Sequence, residues 1–271
     1  MTTETGTATD IDTGIDTDTQ TRLAGKIALV TGGSRGLGAE IVRRLAADGA
    51  DVAFTYNTAK EGADRVAEQV REFGRRVLVI QADLAEAPAA AAVLDAAIAE
   101  FGRVDILVNN AGVLHWASVR ETTPDDVDLL LAVNARAPFL MVQAAADKLA
   151  EGGRIVNLSS AAISVPMPNS GLYGGSKAFL EQVTRVAALE LGARRITVNA
   201  VGPGTSITER WDYIPAERRA ELEAMFALGR AGLPADTANL VAFLVSDEAD
   251  FITGQVIYNT GGQNAFGAGR R

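Results

Sequence analysis

From Leu23 onward, short apolar runs alternate with longer segments in which apolar residues recur at helical spacing. A short apolar run predicts a buried strand, whereas apolar residues three and four positions apart, as between Val93 and Phe101, predict a helix with one buried face. Strands that alternate with helices form βαβ units, which assemble into a parallel sheet with helices on both faces. We therefore predict an α/β fold, a single-domain, doubly wound sheet of seven strands. The predicted strands are Ile27–Thr31, Val52–Tyr56, Val77–Gln81, Ile106–Asn109, Arg154–Ser159, Ile196–Val201 and Val256–Tyr258.

The start of the chain differs from the rest in composition. Its first 21 residues are rich in Thr and Asp and carry five acidic residues but no basic one. Such a segment buries too little apolar surface to offset the entropy of ordering, and it lacks the basic start and apolar run of a signal peptide. We expect a disordered acidic tail over residues 1–22 and one catalytic domain over residues 23–271.

Missing residue types exclude several kinds of chemistry. The chain has no cysteine and a single histidine, His115, which excludes disulfides, thiolate nucleophiles and Cys/His zinc sites. A net charge of −9 argues against nucleic acid as a partner, because nucleic-acid binders collect basic residues. No run approaches the roughly 20 apolar residues of a membrane span. We expect a soluble, cytoplasmic protein with no metal site, no membrane contact and no nucleic-acid partner.

The first predicted strand leads directly into a glycine-rich loop, and a helical segment follows it. Glycines let the backbone turn tightly and approach a pyrophosphate, whose charge the helix N-terminus stabilises, as in Rossmann folds. The residues assigned to this cofactor loop are Thr31, Gly32, Ser34, Arg35, Gly36, Leu37 and Gly38. The loop also fits Gly-x-Ser-x-Gly, the nucleophile elbow of hydrolases. We disfavour that alternative, because it needs a late histidine that follows an acid, and three of the seven predicted strands still follow His115.

Tyr173 and Lys177 lie four positions apart, so a helix places both side chains on one face. An ammonium near a phenol favours the phenolate and lowers the pKa of the phenol. Taken alone, the pair is equally well interpreted as a solvated surface pair.

Together, and in this order, the motifs resemble those of the short-chain dehydrogenase/reductase family. The resemblance covers Leu23 to about Gln263 and is greatest to 3-oxoacyl-carrier-protein reductases and fungal hydroxynaphthalene reductases. The motifs that carry it are Thr31-Gly-x-x-x-Gly36-x-Gly38, Asn109-Asn110-Ala111-Gly112, Asn134, Ser160, Tyr173-x-x-x-Lys177 and Pro203-Gly204.

The resemblance implies four catalytic residues. Tyr173 is expected to be the general acid that protonates a carbonyl oxygen, with Lys177 lowering its pKa and holding the nicotinamide ribose. Ser160 is expected to orient the carbonyl, with Ser159 in a supporting role at best. Asn134 is similar to the family asparagine that holds a water in a proton relay, or else it is a helix-packing amide.

The same resemblance implies the remaining cofactor contacts. Asp83 and Leu84 lie where the family binds adenine. Asn110, Ala111 and Gly112 lie where the backbone of family members runs past the adenosine ribose. Pro203, Gly204 and Thr208 are similar to the segment that holds the nicotinamide carboxamide. At the end of the second strand, Tyr56, Asn57 and Thr58 include no carboxylate to bind a ribose 2′-hydroxyl, and Arg35 can pair with a 2′-phosphate. We therefore expect NADP(H) rather than NAD(H).

The expected function is NADPH-dependent reduction of a ketone to a secondary alcohol. Bulky side chains are expected around the substrate and favour an apolar, aromatic, polyketide-like or 3-oxoacyl ketone. This predicted pocket consists of His115, Trp116, Ser160, Met167, Trp211 and Tyr213. The alternatives are an NADP-linked alcohol or sugar dehydrogenase and a non-catalytic nucleotide sensor. By analogy with the family we also expect a homotetramer, with contacts formed by Asp126–Ala150 and Tyr173–Leu191.

Overall fold

The computed structural model describes residues 22–207 and 215–263. Seven strands form one parallel sheet in the order β3-β2-β1-β4-β5-β6-β7, which confirms the predicted doubly wound fold. The strands are β1 Ile27–Val30, β2 Asp51–Tyr56, β3 Val77–Gln81, β4 Ile106–Asn109, β5 Arg154–Leu158, β6 Thr197–Pro203 and β7 Val256–Asn259. The helices are α1 Gly36–Ala47, α2 Lys60–Glu72, α3 Ala89–Phe101, α4 Pro124–Leu131, α5 Ala137–Lys148, α6 Gly171–Leu191, α7 Ala216–Glu223 and α8 Pro234–Val245.

Each face of the sheet has its own core. Successive strand residues point to opposite faces, so Ala28 and Val30 pack beneath α1, α2 and α8, while Ile27 and Leu29 pack beneath α3, α5 and α6. This burial on both faces explains why the strands read as continuous apolar runs. The chain reverses its winding direction between β1 and β4, and a parallel sheet of this kind opens a crevice there at the carboxyl ends of its strands.

Six predicted strand boundaries shift by one or two residues. Thr31 and Ser159 were predicted as strand residues, but each follows its strand and uses its side chain to bind a neighbouring segment. Conversely, β6 continues to Pro203. Arg22, assigned to the tail, forms an ion pair with Glu248 at 3.2 Å. The rest of the predicted tail, residues 1–21, lies outside the described residues.

The predicted helix Asp126–Ala150 is instead α4 and α5 joined by a π-helical turn, Ala132–Arg136. Among the described residues this continuous segment, Pro124–Lys148, is the one long and apolar enough to cross a membrane by length and composition, with a mean hydropathy of 1.4. Of its most apolar stretch, 44% is buried inside the fold, where α5 packs against α3 and α6. One face of the segment is therefore a core face of this domain.

Candidate active site

A cleft of 940 Å³ opens where the strand order reverses and runs from the glycine-rich loop to α6. Most of the predicted site residues line it. They are Gly32, Ser34, Arg35, Gly36, Leu37, Gly38, Tyr56, Asn57, Thr58, Asp83, Leu84, Asn110, Ala111, Gly112, Trp116, Ser160, Met167, Tyr173, Lys177, Pro203 and Gly204. The fold therefore brings together residues from both halves of the sequence.

The glycine-rich loop is held against the end of β2. Gly32 N donates to Thr55 Oγ1 at 2.9 Å, and Gly33 N donates to the Thr55 carbonyl at 2.8 Å. A Cβ on Gly38 would overlap the Gly32 carbonyl oxygen, so only glycine lets α1 begin this close to the loop. Arg35, at the N-cap of α1, provides no side-chain hydrogen bond to the helix. The first amide groups of α1 are thus available to an anion in the cleft.

Thr31 supports this loop from below and does not line the cleft, contrary to its assignment as a cofactor contact. Its buried Oγ1 accepts hydrogen bonds from Asn110 N and Ala111 N, both at 3.0 Å. In return, Asn110 Nδ2 donates to the carbonyls of Thr31 and Gly32, both at 2.9 Å. These four bonds join the ends of β1 and β4 across the switch point and fix the floor of the cleft.

The corner beside β2 has no negatively charged residue in its lining. Tyr56 is buried, whereas Asn57, Thr58 and Arg35 are exposed. The acidic residue that does line the described cleft is Asp83, after β3, whose Oδ1 accepts from Ala85 N at 2.9 Å. This corner therefore suits an anionic group.

Tyr173 and Lys177 face the cleft from α6, as the four-residue spacing predicted. The Ser160 side chain lies close enough to the Tyr173 hydroxyl to lower its pKa, and Ser160 Oγ accepts from Ala162 N at 3.2 Å. Lys177 Nζ donates to the Leu158 carbonyl at 2.7 Å. Three of the four predicted catalytic side chains, Ser160, Tyr173 and Lys177, thus line the cleft at the carboxyl end of β5.

Burial changes the pKa values of this cluster. It raises the pKa of Tyr173, and the Ser160 side chain partly opposes that rise. It also lowers the pKa of Lys177, whose Nζ donates to the Leu158 carbonyl, to about 8. Ser160 thus favours the phenolate form of Tyr173, and the expected effect of Lys177 on this pKa stays a prediction.

Asn134 lies fully buried in the π-helical turn and does not line the cleft. Its Oδ1 accepts from Val113 N at 2.8 Å, and its Nδ2 donates to the Val113 carbonyl at 2.9 Å and to Ser176 Oγ at 3.3 Å. The side chain thus ties the turn to α6 and to the loop after β4. The sequence signal for the turn is Pro138, which has no N–H to donate to the Asn134 carbonyl.

The far end of the cleft is apolar, but its lining differs from the predicted one. Trp116 and Met167 contribute, whereas His115 does not. The His115 ring turns toward the start of α4, with Nδ1 at 3.6 Å from Asp126 Oδ1 and Nε2 at 3.4 Å from Thr122 Oγ1. Thr208, Trp211 and Tyr213 lie outside the described residues.

Several lining residues were missed by the sequence analysis. Leu114 lines the cleft two positions before the predicted Trp116, whereas His115 between them does not. Gln263 has no local sequence signal: its side chain bonds Thr205, 58 positions earlier. Other missed residues include Thr55, Val113, Val165, Thr205 and Ser206.

Comparisons with known proteins agree with this geometry. Residues 32–264 match the family model described as Enoyl-(Acyl carrier protein) reductase. An uncharacterized oxidoreductase of Methylorubrum extorquens is 43% identical over 89% of this chain and 98% of its own length. The hydroxynaphthalene reductase-like protein Arp2 of Metarhizium brunneum is 39% identical over 90% of this chain and 97% of its own length.

Solved structures are similar as well. A short chain dehydrogenase from Burkholderia cenocepacia in complex with NADP is 45% identical, with a TM-score of 0.85 over 90% of this chain and 99% of that one. The angucycline C-6 ketoreductase LanV with bound NADP is 39% identical, with a TM-score of 0.86 over 91% of this chain and 98% of that one.

Proposed function

The chain belongs to the short-chain dehydrogenase/reductase family and is an oxidoreductase of that type, and we propose that it reduces ketones to secondary alcohols with NADPH. The observation that carries this proposal is the convergence of Tyr173, Ser160 and Lys177 at one end of an anion-compatible cleft. A nucleotide sensor needs only the glycine-rich half of such a cleft.

Tyr173 acts as the acid in this proposal. Bound NADPH would supply the hydride to the carbonyl carbon, and the Tyr173 hydroxyl would give its proton to the carbonyl oxygen. Ser160, which lowers the pKa of Tyr173, orients that oxygen and stabilises the phenolate left behind. Lys177 holds the cofactor ribose, and Asn134 belongs to the path that returns a proton to the site.

The cleft suits NADPH at four places. The uncapped start of α1 beside the glycine-rich loop suits the pyrophosphate. Arg35 has no ion-pair partner among the described residues. Together with Tyr56, Asn57 and Thr58, it suits a 2′-phosphate. The adenosine half lies along Asp83, Leu84 and residues 110–112. Pro203 and Gly204, with Thr208 outside the described residues, are assigned to the carboxamide.

An apolar, ring-bearing ketone or an acyl chain is the substrate class that we propose. Leu114, Trp116, Val165 and Met167 line the end of the cleft beyond Tyr173. Aromatic and thioether side chains stack on rings and gain from burying apolar surface. Two similar proteins carry names of the same kind, hydroxynaphthalene reductase-like protein and angucycline ketoreductase.

We also propose a homotetramer formed through α4, α5 and α6. These helices expose large apolar side chains, and the Phe139 and Phe179 rings lie 6.3 Å apart. The exposed residues are Leu129, Leu131, Phe139, Phe179, Val186 and Leu189. Exposed apolar surface of this kind is typical of subunit contacts. Light scattering of the wild type and of Phe179→Glu tests it, with dissociation of the variant expected.

A substrate panel tests the function itself. NADPH and NADH consumption are followed with bicyclic aromatic ketones, a 3-oxoacyl thioester and small hydrophilic ketones, and alcohol formation is measured in each case. We expect NADPH-dependent reduction that is fastest with the bicyclic or acyl substrates. Cofactor binding without turnover of any ketone would instead favour the nucleotide sensor, and faster NADP-linked oxidation of alcohols or sugars would favour the dehydrogenase.

A further inference from the structure

A buried acidic residue beside the catalytic cluster has no part in the proposed reaction. Glu181 lies on α6 one turn beyond Lys177 and is 4% exposed. Its Oε1 accepts hydrogen bonds from Ser159 Oγ at 2.8 Å and from the Tyr258 hydroxyl at 2.6 Å. Its ion-pair partner, Arg185, is half-exposed and 3.5 Å away. Burying a carboxylate is costly unless it is hydrogen-bonded, so these two hydroxyl donors are what stabilise it there.

One of these bonds leads directly to the catalytic residues. Ser159 is the first residue after β5, and the side chain of the next residue, Ser160, lines the cleft with Tyr173 and lowers the pKa of its hydroxyl. The residue before it, Leu158, accepts the bond from Lys177 Nζ. Helix α6 therefore holds two successive residues at the end of β5, one through Lys177 and the other through Glu181.

Hydrogen bonds to two successive residues fix both the position and the direction of the chain after β5. A single bond to the Leu158 carbonyl fixes a point on the chain, but the direction of the chain beyond it needs a second attachment. We propose that Glu181 is a positioning residue, whose carboxylate fixes Ser159 and thereby sets the place of Ser160 Oγ against the Tyr173 hydroxyl. This inference rests on the proposed reduction, because Tyr173 is the acid of that reaction.

The effect of Glu181 is one of geometry rather than charge. Burial alone accounts for the lowered pKa of Lys177, with no contribution from the carboxylate one turn away. Because Oε1 accepts both hydroxyl bonds, Glu181→Gln retains the acceptor that matters, while Glu181→Met removes it at similar volume. We expect Glu181→Gln to keep kcat within about threefold and Glu181→Met to lose about tenfold or more, with little change in KM for NADPH.

A matched pair of variants separates positioning from general stabilisation. Ser159→Ala and Tyr258→Phe each remove one hydroxyl donor to the same oxygen, but only Ser159 is attached to Ser160. Tyr258 lies on β7 and is absent from the cleft lining. We expect Ser159→Ala to lower kcat by about tenfold and Tyr258→Phe to leave it within about twofold, even where the two lower Tm equally.

The titration of Tyr173 gives a result that does not depend on any substrate. It is followed by NMR of tyrosine labelled at Cζ, with Tyr173→Phe used for assignment. Because the Ser160 side chain lowers the pKa of Tyr173, displacing it should raise that pKa, so we expect a measurable rise in Ser159→Ala and Glu181→Met, and none in Tyr258→Phe or Glu181→Gln. Equal Tyr173 titrations in Ser159→Ala and Tyr258→Phe would overturn the inference. If the wild type reduces no ketone, the proposed function fails while this titration still decides the role of Glu181.

Discussion

The two ends of the cleft are built in different ways. At the glycine-rich end, the side chains of Thr31, Thr55 and Asn110 fix the loop by hydrogen bonds to backbone groups, and Thr31 and Thr55 are buried outright. At the other end, Trp116 is 49% exposed, Met167 is 38% exposed and Leu114 is 54% exposed. Both walls belong to one crevice, but the first presents backbone amide groups and the second presents partly exposed apolar side chains.

This difference separates two kinds of recognition. A backbone cradle fixed from beneath selects a constant chemical group, such as a pyrophosphate, through its shape and its amide groups. A wall of exposed apolar side chains selects by size and apolar area, and it discriminates less sharply. The proposed catalytic cluster of Ser160, Tyr173 and Lys177 lines the same cleft at the end of β5.

The largest effect on kcat is expected from a change at Tyr173. Tyr173→Phe removes the acid while keeping the ring, so kcat should fall by at least about 10², because general acid catalysis contributes 10² to 10⁴. NADPH affinity, measured by fluorescence titration, should stay within a few-fold of the wild type. Comparable turnover in the variant would show that Tyr173 is not the proton donor.

Lys177→Met should affect both ends at once. We expect kcat to fall by about 10- to 100-fold and NADPH binding to weaken, because we assign Lys177 both to the catalytic cluster and to the ribose. Steady-state kinetics and a binding titration on the same preparation measure the two effects. A loss confined to kcat would show that Lys177 does not bind the cofactor ribose.

Arg35→Ala should change the glycine-rich end alone. NADPH affinity should drop by about tenfold, since a guanidinium and a phosphate form a charge-assisted pair, while NADH affinity stays the same. Isothermal titration with both cofactors measures the difference. Equal losses for NADPH and NADH would mean that Arg35 supports the loop rather than a 2′-phosphate.

Trp116→Ala should change the apolar end alone, and by less. We expect kcat/KM for a bicyclic aromatic ketone to fall about five- to tenfold, with a small hydrophilic ketone affected by less than about twofold. Val119→Ala, an exposed apolar residue near the same loop that does not line the cleft, is the control. An equal loss on both ketones would assign Trp116 to folding of the loop.

Much of the glycine-rich end could be predicted from the sequence, because its pattern is local. A strand, a glycine loop and a helix in succession fix the backbone within eight residues, from Thr31 to Gly38. The buried strands were predictable for a similar reason, since burial on both faces leaves continuous apolar runs. Even there, Thr31 proved to support the loop from beneath, which a pattern of residue types does not reveal.

The apolar end could be predicted only in part. Whether a loop side chain faces a cleft depends on what packs behind it, and His115 turns away because Asp126 and Thr122 lie on its other side. Gln263 lines the cleft through a contact made across the sheet, with no periodic signal in the chain. The bonds of Glu181 to two separate strand ends likewise follow from topology rather than from any motif.

The measurement that tests the account most directly is the catalytic efficiency of the wild type with a bicyclic aromatic ketone, compared between NADPH and NADH. Alcohol formation is quantified alongside cofactor oxidation, with Tyr173→Phe as the inactive reference. We predict one alcohol formed per NADPH oxidised and a kcat/KM at least about tenfold higher with NADPH than with NADH. The corner beside β2 contains Arg35 and no carboxylate that would repel a 2′-phosphate. A tenfold preference for NADH, or NADPH binding with no alcohol formed, would contradict it.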